Sequence, residues 1–204
     1  MISADPPVSR PGSLSLSLKN LAAVGANPEN VFDGHRLLIP FFGALYTLTP
    51  DGIRDPENDP PNCKISEMLN DYVSGYPRNA PETGRLISFR ELSGAGPLVV
   101  NFANNTNKTI TATFAGNLPA LQSAAGALGA DPQPDVSGFD LFFTFKALPG
   151  VPLYLQFNDA QGPFPAQGSL LLEASIEAYF DMRTIFTLGT YLCGRLTADR
   201  YEDH

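Results

Sequence analysis

Tryptophan is absent from this chain of 204 residues, and cysteine and histidine occur twice each. These shortages exclude whole classes of chemistry. Two cysteines, Cys63 and Cys193, cannot supply the four thiolates of an iron–sulfur cluster. No C-x-x-C, H-E-x-x-H or EF-hand loop occurs, so no metal site and no cofactor is expected. A Ser or Cys nucleophile needs a histidine as its base. The two available are His35, just after an Asp-Gly pair, which reads as a turn histidine, and His204, the last residue, which reads as disordered. No G-x-S-x-G elbow is present, and neither a P-loop nor a G-x-G-x-x-G phosphate cradle.

Positive charge is also scarce. Thirteen Lys and Arg face 21 Asp and Glu, for a net charge of −8. Such a surface repels phosphate, which argues against nucleic acid and against anionic membrane as partners. No apolar run reaches the ~18 residues of a membrane span, and the first residues lack the pattern of a signal peptide. The expectation is a cytoplasmic protein, with both cysteines as free thiols.

Proline (19) and glycine (18) are plentiful, so turns are frequent. With 43% hydrophobic residues the chain can bury a core without staples. Residues 1–12 read as a loose arm, 13–196 as one domain, and 197–204 as a polar tail. The segment "SLSLSLKNLAAVG" alternates like a strand but also carries a helical stripe; its Leu, Lys and Ala content favours a helix ending near Gly25. "HRLLIPFFGALYTLTPDG" reads as a hairpin followed by a second turn. "RDPENDPPN" is a solvated acidic loop. Ile65, Met68, Leu69 and Tyr72 then mark an amphipathic helix that Asn62 caps and Gly75 ends.

"RLISFREL" reads as a strand. Strict alternation puts Arg90 and Glu91 on opposite faces, so they are not each other's partners. Around 103–115 the Thr and Asn content favours a strand over a helix. "LPALQSAAGALGA" is a helix capped by Gly129. "GFDLFFTFKALPG", "VPLYLQFNDAQG" and "GSLLLEASI" are strands, and 181–196 is a terminal helix. Helices and strands that do not alternate predict an α+β fold: a mostly antiparallel sheet with helices packed on one face.

Carboxylates are the remaining chemistry. Glu91, Asp159, Glu173 and Glu177 fall at strand ends or in connections, where sites are commonly built. Arg90 offers a bidentate fork to an anion. The candidate binding set is therefore Arg90, Glu91, Asp159 and Glu173. The expectation is a partly buried bridge from Arg90 to Asp159 or Glu173 that orders the loop containing Asp159.

Several phrases occur together in order: "HRLLIPFFG-x2-Y", "ISFREL-x-G" (87–94), "ALPGVPL" (147–153), Asp159 with Phe164–Ala166, and "LLLEAS-x3-YF" (170–180). Over about 13–196 they resemble a bacterial family known as domain of unknown function 3786. The resemblance implies no assigned activity. It implies a helix over 103–115, against the propensity reading, and we follow the resemblance there. Relatives tend to carry Asp where Glu173 stands and Trp where Phe157 stands. Some are joined to an iron–sulfur segment, which makes an iron–sulfur protein the partner that the resemblance implies. The functional expectation is a binding or accessory module serving an anaerobic redox system. The alternative is a small hydrolase- or lyase-like enzyme using strand-end carboxylates with Arg90.

Overall fold

The computed structural model describes residues 16–77, 79, 81, 84–134 and 138–198. The expected loose arm at 1–12 lies outside these residues, as does the expected tail beyond residue 198 and, with it, His204. Two antiparallel sheets form rather than one. The first is a meander of β1 (Val31–Phe32), β2 (Leu37–Phe41), β3 (Ala44–Thr49) and β4 (Gly52–Arg54), each strand pairing with the next. Phe41 pairs with Ala44 across a two-residue turn in which Phe42 and Gly43 both take positive φ, 46° and 79°. That turn matches strand twist but strains a phenylalanine. Burial offsets the strain: the Phe42 ring packs on Phe41 and Tyr191, and its N–H donates to the carbonyl of Ala147 at 2.9 Å.

Ala147 belongs to the second sheet, whose order is β5 (Leu86–Ser88), β9 (Gln167–Glu173), β8 (Val151–Asn158), β7 (Leu141–Leu148) and β6 (Asp131–Pro132). The β7–β8 register shifts between Lys146 and Leu148. The Ala147 carbonyl at that shift is the one that accepts from Phe42, and so it links the two sheets. β8 alternates as its sequence demands, with Val151, Leu153, Leu155 and Phe157 buried in a core continuous with the rest of the molecule.

Helix α1 (Leu18–Gly25) starts on the Ser17 cap, and α2 (Cys63–Gly75) starts where Asn62 Oδ1 accepts from the Ile65 N–H at 3.0 Å. The helical stripe Ile65, Met68, Leu69 and Tyr72 is buried, as its spacing predicts. Segment 99–114 is helical too: α3 (Val99–Asn105) and α4 (Asn107–Phe114), broken at Thr106. α5 (Leu118–Ala127) follows. α6 (Met182–Thr197) is capped by Asp181 and tied to α2 by the Thr184 hydroxyl donating to Asp71 at 2.6 Å.

The helical outcome at 99–114 has a physical cause. Thr106, Thr111 and Thr113 turn their hydroxyls back to carbonyls one turn earlier, at 2.6, 2.7 and 2.8 Å, so they do not compete with the helix. More decisive is the edge of β9. Its outward N–H groups at Leu172 and Ala174 meet β5, the latter through the Arg85 carbonyl at 2.9 Å. β5 is too short to reach Gly168 and Leu170. Those two N–H groups donate instead to Thr111 Oγ1 at 2.8 Å and Asn107 Oδ1 at 2.9 Å on α4. Four helical residues rise ~6 Å and two strand residues ~6.6 Å, so the spacings match. Each N–H left unmet there would cost about 1–3 kcal/mol.

Candidate functional site

The sequence candidates do not gather at one place. β5 stops at Ser88, and Phe89–Glu91 form a 3-10 turn, so the strand alternation never reaches Arg90 or Glu91. Glu91 folds back to accept from the Ser88 N–H and hydroxyl, both at 2.7 Å. Those hydrogen bonds, the backbone one foremost, hold its carboxyl below the usual range. Arg90 is exposed and makes no ion pair with a described residue, so it does not bridge Asp159 or Glu173. Glu177 serves the neighbouring loop, accepting from the Ser93 N–H at 2.7 Å.

Glu173 lies at the end of β9, 8% exposed, and accepts from the Tyr154 hydroxyl at 2.9 Å and the Ser175 hydroxyl at 3.2 Å. Burial, then the hydrogen bond and charge of Glu173, push the Tyr154 phenol up to about 12. Asp159 follows β8 directly, and Asn158 pairs with Gln167, the first residue of β9. Asp159 and Glu173 therefore mark opposite ends of β9, separated by roughly 20 Å of strand. No single pocket can use both.

Asp159 does stand in a cleft. Its Oδ1 accepts from the Gly116 and Ala160 N–H groups, both at 2.8 Å, which ties the end of α4 to the end of β8. Its own N–H donates to Asp140 Oδ2 at 2.7 Å, and the Asp140 N–H donates to Asn158 Oδ1 at 2.9 Å. Asn158 Nδ2 closes the lattice on the Gly138 carbonyl at 3.2 Å. Each carboxylate is thus held by one oxygen, and the other has no hydrogen-bond partner among the described residues.

The cleft measures about 540 Å³, with Gln161, Phe164 and Gln167 on its wall. Gln161 and Phe164 exchange two backbone hydrogen bonds at 3.0 Å, and that tight turn holds the Phe164 ring 72% exposed. A second groove of about 540 Å³ shares Pro165 and Gln167 with the first and is floored by Ala112, Ala115 and Ala166, with Lys108 alongside. Sequence reasoning found Asp159 but missed Asp140, Gln161 and Gln167. Asp140 could be read only through the β7–β8 register, which linear spacing does not carry.

Among the described residues no cluster of three or more His, Cys, Asp or Glu could hold a metal, and no helix is long and apolar enough to cross a membrane. Both thiols are free. Cys63 is exposed at the start of α2 rather than packed on its apolar face, while burial pushes the Cys193 thiol up to about 11.

The phrase containing Asp159 and Phe164 thus lines the cleft, the one with Pro149 and Gly150 forms the β7–β8 turn, and the one ending at Phe180 contains most of β9. A family model described as a domain of unknown function, DUF3786, matches residues 20–195. The chain belongs to the DUF3786 family. The match takes in both sheets and all the helices except the first two residues of α1 and the last two of α6, so the DUF3786 domain is the α+β unit described above. No curated protein and no solved structure matches the chain.

Proposed function

We propose that this protein is a binding module, and that the Asp159 cleft with its neighbouring groove receives the bound group. Phe164 carries the reading. A phenyl ring held 72% exposed, continuous with the apolar floor of Pro165, Ala166, Ala112 and Ala115, forms a contiguous patch rather than a lone surface residue. Beside it stand two carboxylates already oriented by backbone N–H groups, which is the arrangement a recognition site needs before its ligand arrives. A narrower form of the proposal makes the partner an iron–sulfur protein of a cytoplasmic, anaerobic redox system; its support is the sequence resemblance.

Anaerobic capture from native cells tests both levels, using the natural chain beside a Phe164→Ala, Asp159→Asn double variant. The expected result is an iron–sulfur protein enriched by the natural chain and lost with the variant. Equal enrichment by both would remove the cleft from the proposal. Turnover of a substrate panel, abolished by Asp159→Asn or Glu91→Gln, would replace the binding module with the carboxylate enzyme.

A further inference from the structure

The Asp159 cleft and the groove beside it form one surface with two chemistries. Each measures about 540 Å³, already the size that encloses a small ligand, and the two share Pro165 and Gln167. Their joint occupant is longer than a small molecule. We propose that this surface receives a peptide segment of a partner protein in which basic side chains stand next to apolar ones. The proposal rests on the binding-module reading and specifies the chemistry of the partner.

The groove supplies the apolar half. Ala112 and Ala115 of α4, with Ala166 just before β9, floor it with methyl groups. The exposed Phe164 ring stands next in the chain to the shared Pro165. A floor of this kind takes aliphatic side chains. Main-chain pairing is not on offer there, because the Gly168 and Leu170 N–H groups are already spent on Thr111 and Asn107. Recognition therefore falls to the side chains of the incoming segment.

The cleft supplies the charged half. Asp140 and Asp159 each have one oxygen taken by backbone N–H groups and the other without a partner among the described residues. An ionised carboxylate accepts and cannot donate, so the spare oxygens need a donor. Charge makes that donor cationic. Every lining residue of the cleft comes from 138–167. From Asp131 to Gln167 the sequence holds four acidic residues and one basic residue, Lys146, which pairs with Asp131 at 3.1 Å. The stretch that builds the cleft thus brings no cation for its carboxylates. Arginine fits best, since its fork presents paired N–H donors to a carboxylate.

Lys108 orients the segment. It borders the groove and has no ion pair with a described residue, so it repels a basic side chain from that flank. The basic residues then lie over Asp140 and Asp159, and the apolar ones over the alanine floor.

Three heptapeptides test this in NMR titrations of the full chain at neutral pH. Each has a central Leu-Leu pair, preceded by two arginines, by two citrullines, which keep the shape without the charge, or by two glutamates. The arginine peptide is expected to bind and to shift the Phe164 ring and the Gly116 and Ala160 amides, which donate to Asp159. The citrulline peptide should bind about tenfold more weakly, and the glutamate peptide should not bind. Asp140→Asn and Asp159→Asn keep an acceptor for the backbone N–H groups. Each should weaken the arginine peptide about fivefold and leave the citrulline peptide unchanged. Lys108→Gln should not weaken either. The proposal is overturned by equal binding of the arginine and citrulline peptides, by preference for glutamate, by full affinity in both Asn variants, by weaker binding in Lys108→Gln, or by unmoved signals at millimolar arginine peptide. The reading beneath it fails separately. Capture of the natural partner that survives Phe164→Ala removes the cleft itself. Capture lost with Phe164→Ala, beside equal binding of the three peptides, keeps the cleft and discards the basic segment alone.

Discussion

Around Asp159, carboxylates are gripped by backbone N–H groups and carry no aromatic packing of their own; around Tyr179, rings stack on rings, and the hydroxyls of Tyr72 and Tyr76 have one hydrogen-bond partner each. Both regions sit at the ends of the same two strands, β8 and β9. The difference lies in what orients the polar atoms. At the Asp159 end orientation comes from hydrogen bonds, so the polar atoms are set individually, and each carboxylate keeps one oxygen without a partner among the described residues. At the Tyr179 end it comes from packing of Tyr72, Tyr76 and Tyr179, whose centroids lie 5.5 to 5.9 Å apart, and hydrogen bonding follows where packing allows. A site built by hydrogen bonds should lose its parts one at a time. A site built by packing should fail as a unit.

Gly150→Ala should have the largest effect. It forces positive φ on a residue with a Cβ and drives that atom into Tyr179, at a cost of about 2–3 kcal/mol. Urea unfolding measures the loss, and amide exchange should rise throughout the tyrosine cluster while Gly116 stays protected. Thr111→Val comes next. It removes the acceptor of the Gly168 N–H, with an expected loss of about 2 kcal/mol. Exchange should accelerate at Gly168 far more than at Leu172, which β5 still pairs. Asp159→Ala should cost about 1 kcal/mol and expose the Gly116 and Ala160 amides alone. Spread of that effect to Tyr179 would erase the distinction between the two ends.

Alkaline titration gives a smaller contrast. The Tyr154 phenol is raised to about 12 in the folded protein, against ~10 for a free phenol. Its contribution is complete below ~10 and is lost as pH rises through 12. The urea midpoint should fall in that window, and Tyr154→Phe should flatten the fall. Smallest of all, Phe164→Ala should change stability by less than about 0.5 kcal/mol, because the ring is mostly exposed. A large loss there would mean the ring supports the fold rather than a partner.

How much of this could be read from the chain depends on the reach of the interaction. Local signals were legible: the stripe and Asn62 cap of α2, the Phe42–Gly43 hairpin, and the strand pair around Pro149–Gly150. The helix at 99–114 was hidden from propensity because Thr111 and Asn107 answer to β9, far along the chain. Two sheets formed where one was expected, since β2 and β7 meet through core packing and the hydrogen bond from Phe42 to Ala147 rather than through a strand ladder. Among the candidate residues, Asp159 and Glu173 are set at opposite ends by strand register, which linear spacing does not carry. Arg90 looked like their partner only while β5 was taken to continue past Ser88.

The pairing of α4 with β9 has one more consequence. A strand edge with bare N–H groups recruits extended chains, its own kind included. On this flank the sheet stops at β9 because a helix offers Asn107 and Thr111 in the place of two carbonyls. The helix thus acts as a terminator of sheet growth. Its removal would leave a docking strip two N–H groups long, in register with β5, open to any peptide able to extend along it.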